Sequence, residues 1–187
     1  MRIPTKLEWI MAHMSQLYDL KAYVAGGAAR DIYYYKTPKD WDVVIPNNHR
    51  WDERDVFNML EGVCYFVRAR YPESKVNVSQ AYDGANGDFD SRWLGIAQLE
   101  IEDGGKTLSV DILFARAPSI RMVLEGFDSN VNQCYLGLIS QHPMYPFGVP
   151  TDIRFLKPIT TKRLNRLLSL SEELRLPVDA TGLEIQD

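Results

Sequence analysis

Asp40-Trp41-Asp42 sets two carboxylates two positions apart, at the head of a run that continues Val43-Val44-Ile45. On an extended strand such residues share a face and lie roughly 6.6 Å apart along the chain. Carboxylates so placed can bracket a pair of divalent cations, which sit about 3.5–4 Å apart in two-metal sites. Oxygen-only ligands suit magnesium, which keeps waters and takes up substrate phosphates. Alone the pattern is weak. With 15 aspartates in 187 residues, chance supplies about one D-x-D per chain, and Asp88-Phe89-Asp90 is a second.

Asp111 adds a third carboxylate. In Thr107–Phe114, Leu108, Val110, Ile112 and Phe114 fall on one face, and Asp111 points the other way beside Ser109 and Leu113. In the earlier run Trp41, Val43 and Ile45 make the apolar face, and Asp40 and Asp42 the opposite one. If the two strands are neighbours, all three carboxylates meet on one side of a sheet. Clustered carboxylates raise each other's pKa unless a cation sits between them. Gly26-Gly27, at a strand-to-helix junction, adds a place where an anion can approach the backbone at a helix N-terminus.

These residues need particular elements to hold them. Thr5 is placed as an N-cap before a helix carrying Leu7, Ile10, Met11, Met14 and Leu17 on one face. Ala22–Ala25 reads as a strand, Ala28 to Tyr35 as a helix stopped before Pro38, and Trp41–Ile45 as the next strand. Asp52 to Tyr71 is a longer helix, and Lys75–Ser79 alternates as a strand. Leu94–Ile101 and Thr107–Phe114 flank Asp103-Gly104-Gly105-Lys106, a clear hairpin. Helices are expected at Pro118–Leu124, Ser129–Ile139 and Thr160–Leu174. A Pro-rich connector and a short strand at Ile153–Leu156 lie between the last two. The fold class is α+β: a small mixed sheet with helices mostly on one face, and a short C-terminal helical extension. Residues 1–158 form the head and 159–187 a neck-like extension and tail.

The order of these blocks resembles a known family. Ala25-Gly26-Gly27-Ala28-Ala29-Arg30-Asp31-Ile32, followed by Pro38-Lys39-Asp40-Trp41-Asp42-Val43-Val44-Ile45, is similar to the head-domain signature of bacterial-type CCA-adding enzymes and poly(A) polymerases. These are members of the DNA polymerase β-like nucleotidyltransferase superfamily. Ala29 stands where Val is usual. Asp111 falls at the third metal carboxylate, and Phe127-Asp128-Ser129-Asn130-Val131-Asn132 resembles the segment whose Asp and Asn contact sugar and nucleotide. The resemblance implies that Asp40, Asp42 and Asp111 are catalytic and hold two Mg2+ ions, with Mn2+ as a substitute. It implies nucleotide binding by Gly26, Gly27, Arg30, Asp128 and Asn132.

There are departures. The family's two arginines before that segment are Gly126 and Phe127 here, so that triphosphate contact is missing, and Arg121 is in reach from the preceding helix. The base-reading Glu-Asp-x-x-Arg motif is replaced by Thr160–Arg166, where Arg163 or Arg166 takes the analogous place. The helical body and tail that grip tRNA in full-length relatives are not in this sequence, so faithful CCA addition by this chain alone is not expected.

The implied function is transfer of a nucleoside monophosphate from a nucleoside triphosphate to an acceptor hydroxyl, with pyrophosphate released. An RNA 3′ end, of tRNA or another RNA, is the first choice of acceptor. Two readings stand beside it: nucleotidylation of a protein or small molecule, as in antitoxin-like enzymes, and a non-catalytic nucleotide-binding regulatory module. The composition is that of an ordinary soluble globular protein, 45% hydrophobic and 25% charged, and the net charge of −4 argues against coating nucleic acid by bulk electrostatics. Cys64 and Cys134, far apart and outside any C-x-x-C, read as buried thiols of a cytoplasmic protein, and no run is long enough to span a membrane. Asp83–Asp88 is a poor calcium loop, with Leu94 where a bidentate Glu is needed. Of Tyr33-Tyr34-Tyr35, on an expected helix, one or two rings are expected to fill core.

Overall fold

A computed structural model describes residues 2–80 and 91–186 of the chain. The second D-x-D, the Asp83–Asp88 segment and the Tyr82–Asp90 loop lie outside the described residues. The elements follow in the order α1 (Thr5–Tyr18), β1 (Tyr23–Ala25), α2 (Gly26–Tyr33), β2 (Asp40–Ile45), α3 (Glu53–Arg70), β3 (Lys75–Gln80), β4 (Trp93–Asp103) and β5 (Lys106–Ala115). After them come α4 (Ile120–Glu125), a 3₁₀ turn (Asn130–Asn132), β6 (Tyr135–Gly137), β7 (Ile153–Arg154), α5 (Thr161–Leu174) and β8 (Val178–Asp179).

The β4–β5 hairpin turns on Gly104 and Gly105, both at positive φ, 61° and 81°. A two-residue turn whose twist matches its strands needs that conformation at both positions, which is why two glycines stand there. β5 then lies parallel to β2, and the sheet order is β3-β4-β5-β2-β1-β6. The expected convergence depends on this adjacency. Val43, Ile45, Val110, Ile112 and Phe114 are buried with Leu7, Ile10 and Met14 of α1 and Val56, Leu60 and Val63 of α3. The opposite sheet face is covered in part by a smaller cluster, in which Val44, Ala25, Trp93 and Ala115 meet Val123 and Leu124 of α4. A third cluster joins Val131 and Ile153 to Leu167 and Leu170 of α5.

Two expectations are corrected. Thr5 is inside α1 and caps nothing; Pro4 precedes the helix, and the Glu8 N–H closes the first turn on the Pro4 carbonyl at 2.9 Å. Ser129–Ile139 is not a helix. Asn130 spends its side chain on backbone, donating to the Asp152 carbonyl at 2.9 Å and accepting from the Arg154 N–H at 2.8 Å. That side-chain competition limits the segment to one 3₁₀ turn. The following residues pair instead with the edge of β1, Tyr23 opposite Gly137. Among the described residues no helix is long and apolar enough to cross a membrane.

Gly95 shows how closely α3 sits on the sheet. A Cβ there would lie 2.9 Å from Leu60 Cδ1 and 3.2 Å from Val56 Cγ1, and both side chains are fully buried. Gly95→Ala is therefore expected to overpack the core and cost about 1–3 kcal/mol. Thermal unfolding would report this as a Tm lowered by roughly 2–4 °C per kcal/mol. An unchanged Tm would mean that α3 can move off the sheet.

Candidate active site

Asp42 and Asp111 are direct partners across the parallel β2–β5 pair, and Asp40, opposite Ser109, lies two residues earlier on the same face. Adjacent strands are about 4.8 Å apart, so the first two carboxylates start from neighbouring backbone positions. Burial, then the charges of Asp111 and Asp40, push the Asp42 carboxyl up to about 6, against a weaker pull from Arg166 and Arg163. Burial also raises Asp111, with the Asp40 charge acting the same way; a hydrogen bond from Gln98, its partner on β4, opposes the shift. Asp40 is exposed. The three carboxylates thus feel one another, as expected of an acidic cluster without its counter-charge.

This donor set suits a hard divalent cation: all oxygen, on one face, half sunk in the protein. Among the described residues no group of three or more His, Cys, Asp or Glu side chains is gathered closely enough to hold a metal ion by itself. An open set completed by water and substrate phosphate is the way magnesium is usually held.

Asp42 opens into a cleft of about 610 Å³ walled by Gly26, Arg92, Phe127, Asp128 and Arg163. Gly26 adopts φ 63° and donates its N–H to the Cys134 carbonyl at 3.0 Å. Its missing Cβ would lie 3.3 Å from Phe127 Cε2 and 3.6 Å from Asp42 Oδ2. Gly27 faces only the Arg30 guanidinium, 3.7 Å from where a Cβ would sit.

Arg30 is buried. It grips Asp31 Oδ1 through Nε at 2.8 Å and through a terminal nitrogen at 2.6 Å, and donates to Asn132 Oδ1 at 2.7 Å. Because a guanidinium only donates, it turns the Asn132 oxygen inward and leaves the amide nitrogen for a ligand. Asp128 receives a two-pronged contact from Arg163, at 2.6 and 2.9 Å. Thr160 caps α5 by accepting from the Arg163 N–H, which fixes Arg163 in the first turn.

Of the residues singled out from the sequence, Asp42, Gly26, Gly27, Arg30, Asp128, Asn132, Arg163 and Arg166 line the cleft, and Asp40 and Asp111 adjoin Asp42 in the sheet. Arg121 does not join them. It stacks on Phe147, 4.6 Å from the ring centre, and lies 3.8 Å from Glu125. Arg92 and Lys157 line the cleft with no local pattern to announce them, since the fold alone brings them there. With Arg30, Arg163 and Arg166 they make a basic enclosure in a chain of net charge −4.

No family model matches the chain, and no curated protein matches it. Solved structures do. A tRNA-processing enzyme in an apo form superposes with a TM-score of 0.62 at 20% identity, covering 96% of this chain and 45% of that one. An apo CCA-adding enzyme gives 0.61 at 18%, covering 95% and 41%. A tRNA nucleotidyltransferase complexed with a primer tRNA and an incoming ATP analog gives 0.59 at 19%, covering 90% and 46%. The chain spans less than half the length of these proteins. At this identity the likeness is one of fold, and the fold is of the nucleotidyltransferase type.

Proposed function

We propose that the chain is a metal-dependent nucleotidyltransferase that uses a nucleoside triphosphate and acts on an RNA 3′ end. One observation carries this reading: Asp42, paired with Asp111 across parallel strands and with Asp40 on the same face, lines a basic cleft beside Gly26. The solved structures of the same fold, one of them holding a primer tRNA and an ATP analog, support the choice of RNA over other acceptors. The head, residues 1–158, carries the chemistry, and the extension, 159–187, contributes Arg163 and Arg166.

Asp40, Asp42 and Asp111 would hold two divalent cations, which supply charge neutralisation and activation of the acceptor hydroxyl. The acceptor oxygen bonds to the α-phosphorus, the bond from that phosphorus to the bridging oxygen breaks, and pyrophosphate and a proton leave. Asn132, oriented by Arg30, donates to an acceptor atom of the nucleotide. Asp128 is aimed by Arg163 so that a free lone pair can take a sugar hydroxyl. Arg163 is thus a positioning residue, and Arg166, one turn along α5, is the cation nearer the nucleotide.

The test is incubation with each labelled nucleoside triphosphate, Mg2+, and cellular RNA, protein or small-molecule fractions. Label on RNA 3′ ends is expected. Label on protein alone would transfer the case to the nucleotidylating reading, and none in any fraction would sink both. A separate result follows from the charge state. A proton and a cation compete for Asp42, so Mn2+ affinity measured by calorimetry should fall about tenfold per pH unit below 6 and level off above it. An affinity flat from pH 5 to 8 would remove Asp42 from the metal site.

A further inference from the structure

A second cavity, of about 890 Å³, is larger than the cleft. Tyr33, Tyr34 and Tyr35 line it at the end of α2, Ile139 and His142 line it after β6, and Arg2 lines it from the N-terminus. Among the described residues no Asp or Glu does so, in a chain of net charge −4. Its tyrosine wall is braced. The Tyr33 ring meets those of Tyr34 and Tyr145 edge-on, each at 5.1 Å. Tyr145 is fixed in turn by donating its hydroxyl to the Val131 carbonyl at 3.0 Å, one residue before Asn132 of the cleft.

Tyr35 differs from its neighbours. With Ile139 it is the most exposed large apolar side chain among the described residues, at 91% and 100%, and both line this one cavity. Its backbone is set by the end of α2: the Tyr35 N–H donates to the Ile32 carbonyl at 3.1 Å and the Lys36 N–H to the Asp31 carbonyl at 2.7 Å. That double closure puts residue 35 in the left-handed region, at φ 58°, where glycine is the usual occupant. A tyrosine is strained there, and an exposed ring gains no burial to offset the strain. Strain of this kind clusters where ligands are held. Residues 35–39 then run back from the cavity to Asp40, a path of at most roughly 18 Å. They carry Lys36, which pairs with Glu173 of α5 at 3.0 Å, and the exposed Lys39 directly before Asp40.

We propose that this cavity binds the unpaired nucleotides of the RNA acceptor that precede its 3′ end, with Tyr35 the ring on which their bases stack. This rests on reading the chain as a nucleotidyltransferase of RNA 3′ ends. An acceptor whose terminal hydroxyl reaches the three carboxylates must lay its preceding nucleotides over the nearby surface, and the 35–39 loop leads from one place to the other. The phosphates of that strand suit a cavity with Arg2 on its wall and no carboxylate. Every base has a face that a tyrosine ring can stack on, so the platform holds a strand whatever its sequence.

The probe is a short single-stranded oligoribonucleotide with fluorescein at its 5′ end, followed by anisotropy in chelator, with a blunt RNA duplex as control. The single strand should bind more tightly than the duplex, whose bases are already stacked. Tyr35→Gly should weaken the single strand about tenfold. Its Tm should equal or exceed the parent's, because glycine takes the left-handed conformation without strain. Tyr35→Phe keeps the ring and should bind RNA as the parent does. Arg2→Gln should lower the slope of log affinity against log salt by about 0.7. In turnover Tyr35→Gly should raise KM for RNA and leave KM for ATP unchanged. Parent-like RNA binding by Tyr35→Gly would overturn the platform, and a lowered Tm alongside the lost binding would do the same by making Tyr35 structural. A parent that sediments as a dimer and a Tyr35→Gly variant that sediments as a monomer would assign the cavity to a second copy of the chain and overturn it as well. RNA binding that depends on Tyr35 without any nucleotidyl transfer would count against the transferase reading alone.

Discussion

Asp42→Asn is expected to abolish transfer and, with divalent cations removed, to raise the thermal stability of the protein. The two effects come from the same burial. The folded carboxyl is pushed up to about 6, from the ordinary aspartate value of about 3.9. An acid whose pKa rises on folding opposes folding once ionised. The loss begins as the unfolded chain deprotonates and is complete above the folded pKa. At pH 7.5 that strain is about 2–3 kcal/mol, by the usual 1.36 kcal/mol per unit. Asparagine has the same shape and no charge, so the strain disappears and Tm should rise by roughly 5 °C for a chain of this size. Below about pH 4 parent and variant should melt together.

Activity moves the other way. On the proposed mechanism the divalent cations that would neutralise the leaving phosphates would lose their most enclosed ligand with the Asp42 charge, and a fall of at least about 10³-fold is expected. Added Mn2+ should reverse the order of stability, since only the parent binds it well. A variant that melts lower than the parent in chelator would show that Asp42 is already paired by Arg166 and Arg163. A variant that still transfers nucleotide at near-parental rate would end the assignment of Asp42 as catalytic.

The acidic trio was legible because strand alternation is a local property. Trp41, Val43, Val110 and Ile112 had to be buried, so Asp40, Asp42 and Asp111 had to face away from them. That β2 and β5 lie side by side is a property of topology, which spacing alone does not encode. Arg92 and Lys157 were illegible for the same reason: each sits in an irregular segment, and only the path of the chain around Gly126 brings them together. Arg163 lines the cleft where the spacing placed it, and there it also holds Asp128. Its position in the first turn of α5 was readable from Thr160, but its two bonds to Asp128 depend on how α5 packs over Val131 and Ile153. The misread Ser129–Ile139 segment has a local apolar pattern that competes with Asn130 side-chain bonds and an open edge of β1, and the tertiary partners win.

Gly26 and Gly27 look alike in the sequence and should behave differently on substitution. Gly26 sits at φ 63°, where a residue with a Cβ costs about 1–2 kcal/mol. Its added carbon would also press on the Phe127 ring at 3.3 Å and reach Asp42 Oδ2 at 3.6 Å. Gly26→Ala is therefore expected to lose about 1–2 kcal/mol of stability. Moving Phe127 and Asp42 by a few tenths of an ångström should further cost roughly 10–100-fold in kcat, since reacting groups tolerate little displacement. Gly27 has no positive φ, and its added carbon meets only the Arg30 guanidinium at ordinary contact distance. There alanine should stabilise α2 by about 0.5–1 kcal/mol through the unfolded chain. The cost falls on the ligand: a methyl group beside the helix N-terminus holds a phosphate away from the backbone, so KM for ATP should rise with Tm unchanged or higher. Matched losses of stability and activity in both variants would mean that the two glycines do one job, a tight turn, and that no phosphate approaches Gly27.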